Sequence, residues 1–103
     1  MAAPAKLSDG EIAQRLTALS GWRRDGNAIT KEFVLGGFTE AAQFIGRIAL
    51  VADAMDHHPD LHVYRYKRVT ITLTTHDAGG ITPKDFDLAT RIDALAPFGA
   101  EPA

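Results

Sequence analysis

The sequence predicts a two-layer α+β domain, a four-stranded antiparallel sheet covered by helices on one face. Three observations carry this. Apolar residues recur at helical spacing in three segments. Other segments alternate apolar and polar residues as half-buried strands do. The strands come in neighbouring pairs, which favours hairpins and an antiparallel sheet. The predicted order is α-β-β-α-β-β-α.

The first helix opens at Ser8. Ser8 and Glu11 have capping-box spacing, flanked by Leu7 and Ile12 as a hydrophobic staple. Ile12, Leu16 and Leu19 form its apolar face, and Gly21 ends it. A strand at Trp22–Arg24, a turn at Asp25-Gly26-Asn27 and a strand at Ala28–Leu35 follow. In the second strand Ile29, Lys31 and Phe33 share one face, and Ala28, Thr30, Glu32 and Val34 the other.

Gly36-Gly37 breaks the strand, and Thr39 is the expected cap of a helix from Glu40 to about Met55. Phe44, Ile48, Val51 and Met55 form its stripe, widened by Ile45, Ala49 and Ala52. Strands are expected at Leu61–Tyr66 and Val69–His76. In the latter Val69, Ile71, Leu73 and Thr75 face one way, and His76 ends the Thr-rich polar face. Thr82-Pro83-Lys84-Asp85 is a strong helix start, with a cap, proline in the first turn and Asp three residues on. The last helix buries Phe86, Ala89, Ile92 and Ala96 and ends before Pro97.

The chain of 103 residues fits a single domain, with an ordered core of about 7–96. The tails Met1–Lys6 and Pro97–Ala103 are expected to fray. A domain this small gains from oligomerisation. The net charge of −2 argues against a general nucleic-acid or anionic-membrane binder. The absence of cysteine removes thiol chemistry and fits a reducing compartment. No run has signal-peptide or membrane-spanning character, so the expected location is the cytoplasm.

All four histidines fall between positions 57 and 76. Histidine exchanges protons near neutrality, so this concentration points to a small acid–base site. Pro59 keeps His58 out of helical geometry, so the rings of His57 and His58 should point differently. His57 and His58 follow a helix, His76 ends a strand and Asp85 starts a helix, so one rim of the sheet can hold them all. Asp53, four residues before His57, is expected to aim its carboxylate at that ring. Other readings stand beside these. Asp85 is also explained as a cap, His62 as a surface residue and Trp22 as a core residue. A zinc site using His57 and His62 is the rival chemistry, without a standard metal spacing.

The pattern Asp53-x-x-x-His57-His58-Pro59, then Tyr66, then Thr74-Thr75-His76-Asp77-x-Gly79-Gly80-x-Thr82-x-x-Asp85-x-x-Leu88-Ala89 resembles the pterin-4a-carbinolamine dehydratase signature. The similarity runs from about Leu7 to Leu95 and includes Gly21-Trp22. It implies dehydration of 4a-hydroxytetrahydropterin to quinonoid dihydropterin, in tetrahydrobiopterin recycling after an aromatic amino-acid hydroxylase. The pterin is then the substrate, and no cofactor or metal is implied. By the resemblance, His57 and His76 are the acid–base pair, and His58 binds and orients the pterin. Asp85 and Asp53 hold the histidines, and Trp22 flanks the ring. A homodimer or homotetramer is implied, with no direct nucleic-acid or membrane partner. Some relatives act instead as dimerisation cofactors or assembly chaperones, which is the alternative function. Two departures stand out. Position 53 is Asp where members often have Glu, and the Pro59–Tyr66 stretch is one residue longer than in some, which a β-bulge would absorb.

Overall fold

A computed structural model describes residues 5–96 and 101–102 and has the predicted α+β architecture. Helix α1 spans Asp9–Leu16, followed by strands β1 (Arg23–Asp25) and β2 (Ala28–Val34), helix α2 (Phe38–Met55), strands β3 (Asp60–Tyr64) and β4 (Arg68–Leu73), and helix α3 (Pro83–Leu95). The sheet order is β1-β2-β4-β3, antiparallel throughout. Helix α2 therefore carries the chain from β2 to the far edge of the sheet, and β4 returns between them. Of the tails expected to fray, residues 1–4, 97–100 and 103 lie outside the described residues. Glu101–Pro102 forms a short strand, β5, against Val34 and Phe33 of β2.

Both predicted capping boxes are present. Ser8 Oγ accepts the Glu11 N–H at 3.2 Å and Glu11 Oε1 accepts the Ser8 N–H at 3.1 Å. Helix α1 stops earlier than expected, at Leu16. Tighter bonds to the carbonyl three residues back carry the chain from Thr17 to Leu19, before Gly21 turns at φ 83°. Helix α2 starts two residues earlier than expected. Its cap is Gly37, not Thr39, which lies in the first turn. A Cβ at Gly37 would come within 2.8 Å of Glu40 Oε2, so the missing side chain lets the Glu40 carboxylate fold over the helix start.

The core lies between the sheet and the helices. Ile29 and Phe33 of β2, Val69, Ile71 and Leu73 of β4, Phe44 and Ile48 of α2, and Leu88 and Ile92 of α3 are buried. The Phe33 and Phe44 rings meet edge-to-face at 5.0 Å, joining sheet to α2. Burial of each such side chain is worth about 1.5–3 kcal/mol. Ala49, expected in the stripe of α2, is exposed, and Ala96 is only partly buried.

Lys31 occupies the buried register of β2, as its alternation predicts, and has 8% of its surface exposed. Its Nζ is 2.9 Å from both Asp93 Oδ1 and the Ser20 carbonyl and lies over the Phe33 ring. Trp22 donates from Nε1 to the same carboxylate at 3.1 Å. No β-bulge interrupts β3, contrary to the expectation for the Pro59–Tyr66 stretch. The pairing from Asp60↔Thr72 to Tyr64↔Arg68 is uninterrupted, and Arg65 and Tyr66 both take positive φ, 48° and 54°. Tyr66 therefore belongs to the turn, not to the strand face shared by His62 and Tyr64.

On the face of the sheet away from the helices, Glu32 of β2 accepts from the Tyr64 hydroxyl of β3 and from Arg68 Nη1 of β4 at 3.2 Å. The Tyr64 hydrogen bond, opposed by burial and helped by Arg68, holds the Glu32 carboxyl below the usual glutamate range. A lowered folded-state pKa gives stability that is complete above the unfolded value and lost as pH falls through the folded one. Glu32→Gln is therefore expected to lower the melting temperature at pH 7, with the gap to wild type closing as pH falls below about 4.5. Paired thermal melts between pH 7 and 3 test this, and a pH-independent gap would contradict it.

Candidate functional site

The site is built around the side chain of Asp85. This carboxylate has 0% exposure and sits in the first turn of α3, where it completes the second capping box. Asp85 Oδ2 accepts the Thr82 N–H and the Thr75 hydroxyl, each at 2.9 Å. Asp85 Oδ1 lies 2.6 Å from His57 Nε2. One carboxylate thus closes a helix start, meets the histidine that follows α2 and holds a residue just beyond β4. The cap reading of Asp85 is present in its contacts, and the same carboxylate meets His57.

The ending of α2 delivers His57 to Asp85. Asp56 adopts the left-handed conformation at φ 49°, ψ 43°. The Asp56 N–H bonds the Asp53 carbonyl and the His57 N–H bonds the Ala52 carbonyl, both at 3.1 Å. These are the paired bonds of a Schellman ending. The reversal swings His57 off the helix surface and under α3, where 8% of it is exposed. Asp53 stays on the last turn and consequently does not meet His57, as its spacing suggested. Its Oδ1 is instead 2.9 Å from His58 Nε2, in a pair whose side chains are 59% and 77% exposed. The rings of His57 and His58 do point differently, one inward and one outward.

His76 lies beyond the strand expected to carry it, because β4 ends at Leu73. Thr75 forms an isolated bridge to Gly80, and His76–Ala78 is a single 3-10 turn. The Thr75 carbonyl accepts N–H groups from Ala78, Gly79 and Gly80, which curls this segment back on itself. His76 is exposed and follows directly on Thr75, whose side chain touches Asp85. A chain of contacts thus runs from His57 through Asp85 and Thr75 to the residue bearing His76. A Cβ at Gly80 would lie 2.7 Å from Cδ of the exposed Lys6, whose side chain would have to move aside.

Trp22 takes the core position of its two readings, with 5% exposure. Its partner Asp93 is eight residues beyond Asp85, about 12 Å along α3, and no hydrogen bond among the described residues joins Trp22 to the histidines. His62 is exposed on β3, its ring 5.6 Å from that of Tyr64. Among the described residues, no three His, Asp or Glu side chains are grouped closely enough to hold a metal ion. None of the helices among them is long and apolar enough to cross a membrane.

Reading the residues alone gave Thr82 its cap role but missed the contact between the Thr75 and Thr82 hydroxyls and the bond from Thr75 to Asp85. The two hydroxyls lie 2.7 Å apart, both buried against Asp85. A signal existed, since Thr75 is a polar residue in the apolar register of Val69, Ile71 and Leu73.

Three comparisons with known proteins bear on this site. The family profile described as Pterin 4 alpha carbinolamine dehydratase matches residues 5–95. A Roseiflexus sp. (strain RS-1) protein named "Putative pterin-4-alpha-carbinolamine dehydratase" is 53% identical over 90 residues, covering 87% of this chain and 96% of that protein. A protein of the same name from Sulfurisphaera tokodaii is 47% identical, over the same shares of the two chains. Among solved structures, a transcriptional coactivator/pterin dehydratase from Brucella melitensis superposes with a TM-score of 0.85 at 36% identity, covering 89% of this chain and 99% of its own. A pterin dehydratase-like RuBisCO assembly factor of the alpha-carboxysome gives a TM-score of 0.62 at 26% identity, covering 74% and 89%.

The two aspartates that contact histidines should differ sharply in their weight. Asp85→Ala removes the acceptor of three buried donors and is expected to cost about 3–5 kcal/mol, as does breaking a buried pair. Asp53→Ala breaks an exposed contact and should change stability by no more than about 0.5 kcal/mol. Urea unfolding of both variants checks this, and equal losses would contradict the structural ranking.

Proposed function

The chain belongs to the pterin 4 alpha carbinolamine dehydratase family, and from that premise we propose that it dehydrates 4a-hydroxytetrahydropterin to quinonoid dihydropterin and water. In this reaction the C4a–O bond breaks, the departing hydroxyl takes up a proton to leave as water, and a proton leaves the pterin ring. One group must give a proton and another must accept one. We assign these tasks to His57 and His76, without fixing which is acid and which base. His58 binds and orients the pterin, steadied by Asp53, and Asp85 holds His57.

The observation that carries this reading is the contact of His57 with Asp85 at 2.6 Å, with the carboxylate fully buried. The fold itself uses Asp85 as a cap and an anchor; the exposed imidazoles of His58 and His76 near it add groups that the fold does not need and that acid–base chemistry does. Trp22, with 5% exposure, offers a pterin no open ring face and contributes in this reading as a core residue. Supply of the substrate by an aromatic amino-acid hydroxylase, as in tetrahydrobiopterin recycling, belongs to the same proposal. So does a homodimer or homotetramer, supported by the outer edge of β3 and by the exposure of Phe38 and Leu50 on α2.

The test is a stopped-flow ultraviolet assay in which a hydroxylase generates 4a-hydroxytetrahydropterin in situ. Wild-type protein should accelerate its decay without added metal. His57→Ala and His76→Ala should each lose about 10²–10⁴-fold of that acceleration. His58→Ala should raise KM more than it lowers kcat. No acceleration by folded wild-type protein would overturn the enzyme reading in favour of a binding role, the class to which the RuBisCO assembly factor belongs.

A further inference from the structure

We propose that Thr75 and Thr82 are positioning residues for the acid–base site. Their hydroxyls form a one-way hydrogen-bond relay that holds the Asp85 carboxylate with Oδ1 toward His57 Nε2, where Oδ1 sets the Nε2–H tautomer and leaves Nδ1 as the proton-transfer atom. The inference rests on the dehydratase reading for its catalytic meaning, but not for its geometry.

The direction of the relay follows from counting protons. A threonine hydroxyl has one proton to donate and lone pairs to accept with. The Lys84 N–H donates to Thr82 Oγ1 at 3.3 Å. Thr75 spends its proton on Asp85 Oδ2 at 2.9 Å. Across the 2.7 Å contact between the two hydroxyls, Thr82 must therefore donate and Thr75 accept. The reverse direction would strand both the Thr82 proton and one acceptor position of Asp85 in a buried site. The Thr82 N–H adds a second donor to Oδ2 at 2.9 Å. With Oδ2 taken by two donors, Oδ1 is the acceptor left for His57, at 2.6 Å. The ring proton then resides on Nε2.

The other ring nitrogen, Nδ1, has no hydrogen-bond partner among the described residues, and 9% of the His57 side chain is exposed. Which nitrogen of a histidine works is set by the bond the other one makes, and here that bond is set two residues further back. Thr75 acts a second time through its backbone. Its N–H bonds the Gly80 carbonyl at 3.0 Å, and its own carbonyl gathers the turn that begins with His76. One residue thus orients His57 through its side chain and places His76 through its main chain.

Nitrogen-15 NMR of the imidazole rings tests this directly. In wild-type protein with His57 neutral, Nε2 should carry the proton and Nδ1 should not. Thr75→Val keeps the shape and removes one donor to Oδ2, so the carboxylate is freer to turn and the His57 Nε2–H signal should shift and broaden, while the proton stays on Nε2. Thr75→Ser should restore the wild-type spectrum. Asp85→Asn, whose amide N–H can donate to Nε2, should move the proton to Nδ1. In the dehydratase assay Thr75→Val should lower kcat about tenfold, with KM within about twofold, and Thr75→Ser should recover it. A His57 Nδ1–H form in the wild type overturns the proposal without any variant, and this spectrum decides the matter if Thr75→Val does not fold. An unchanged Nε2–H signal and kcat in a folded Thr75→Val protein overturn it too. An Nε2–H signal that responds to Thr75→Val and recovers in Thr75→Ser, in a protein lacking dehydratase activity, would sustain the relay and sink the catalytic reading instead.

Discussion

The fully buried carboxylate of Asp85 is the constraint on which the rest of the site depends. An ionisable side chain cannot be taken out of water without partners that replace its hydration. Those partners come from three places in the chain: the start of α3, the residue beyond β4, and the segment after α2. Meeting the needs of one side chain therefore fixes how two helices and a strand end meet. The histidine brought by the α2 ending serves the electrostatics of Asp85 as much as Asp85 serves it. Stability and candidate chemistry are two consequences of one set of hydrogen bonds.

Helix α3 is fastened by a carboxylate at each end, and the two anchors differ in kind. Near its C-terminus Asp93 receives Lys31 from β2 and Trp22 from the start of β1, with Lys31 also bonded to the Ser20 carbonyl. That cluster ties α3 to the first hairpin and the loop after α1. Near its N-terminus Asp85 ties the same helix to the ends of α2 and β4. Between the anchors, Leu88, Ala89 and Ile92 bury the helix against the core. A helix held at both ends and packed between them gives the His57 partner a fixed position, which a proton-transfer group requires.

Much of this was legible in the sequence, and what was not has specific causes. Capping boxes and strand faces depend on spacings of three and two residues, so Ser8–Glu11, Thr82–Asp85 and the register of β2 could be read directly. Lys31 and Thr75 stood out as polar residues at apolar positions, although their partners could not be named from spacing. The pairing of Asp53 was misread because it turns on one backbone conformation. With Asp56 left-handed, residues 53 and 57 no longer share a helix face, and no glycine marks the spot. The cap of α2 falls at Gly37 and not at Thr39, at a position where a side chain would crowd the Glu40 carboxylate. The turn at His76 was hidden because a Thr-rich alternation continues past the last strand bond, and only the carbonyl of Thr75 shows where the sheet stops.

The contrast between the two histidine–aspartate contacts suits a division of labour. His57 and Asp85 are buried, the carboxylate meets three partners, and the ring is held through Nε2. His58 and Asp53 lie in solvent, where such a pair contributes little to stability and costs little to rearrange. Proton transfer rewards fixed geometry, because misplacement of a reacting atom is paid in rate. Substrate capture tolerates adjustment, because a ring that swings onto its ligand gives up only a weak exposed contact. In the proposed dehydratase reading these two demands fall on adjacent residues. The proline that follows them and the left-handed Asp56 that precedes them send one ring into the protein and leave the other outside.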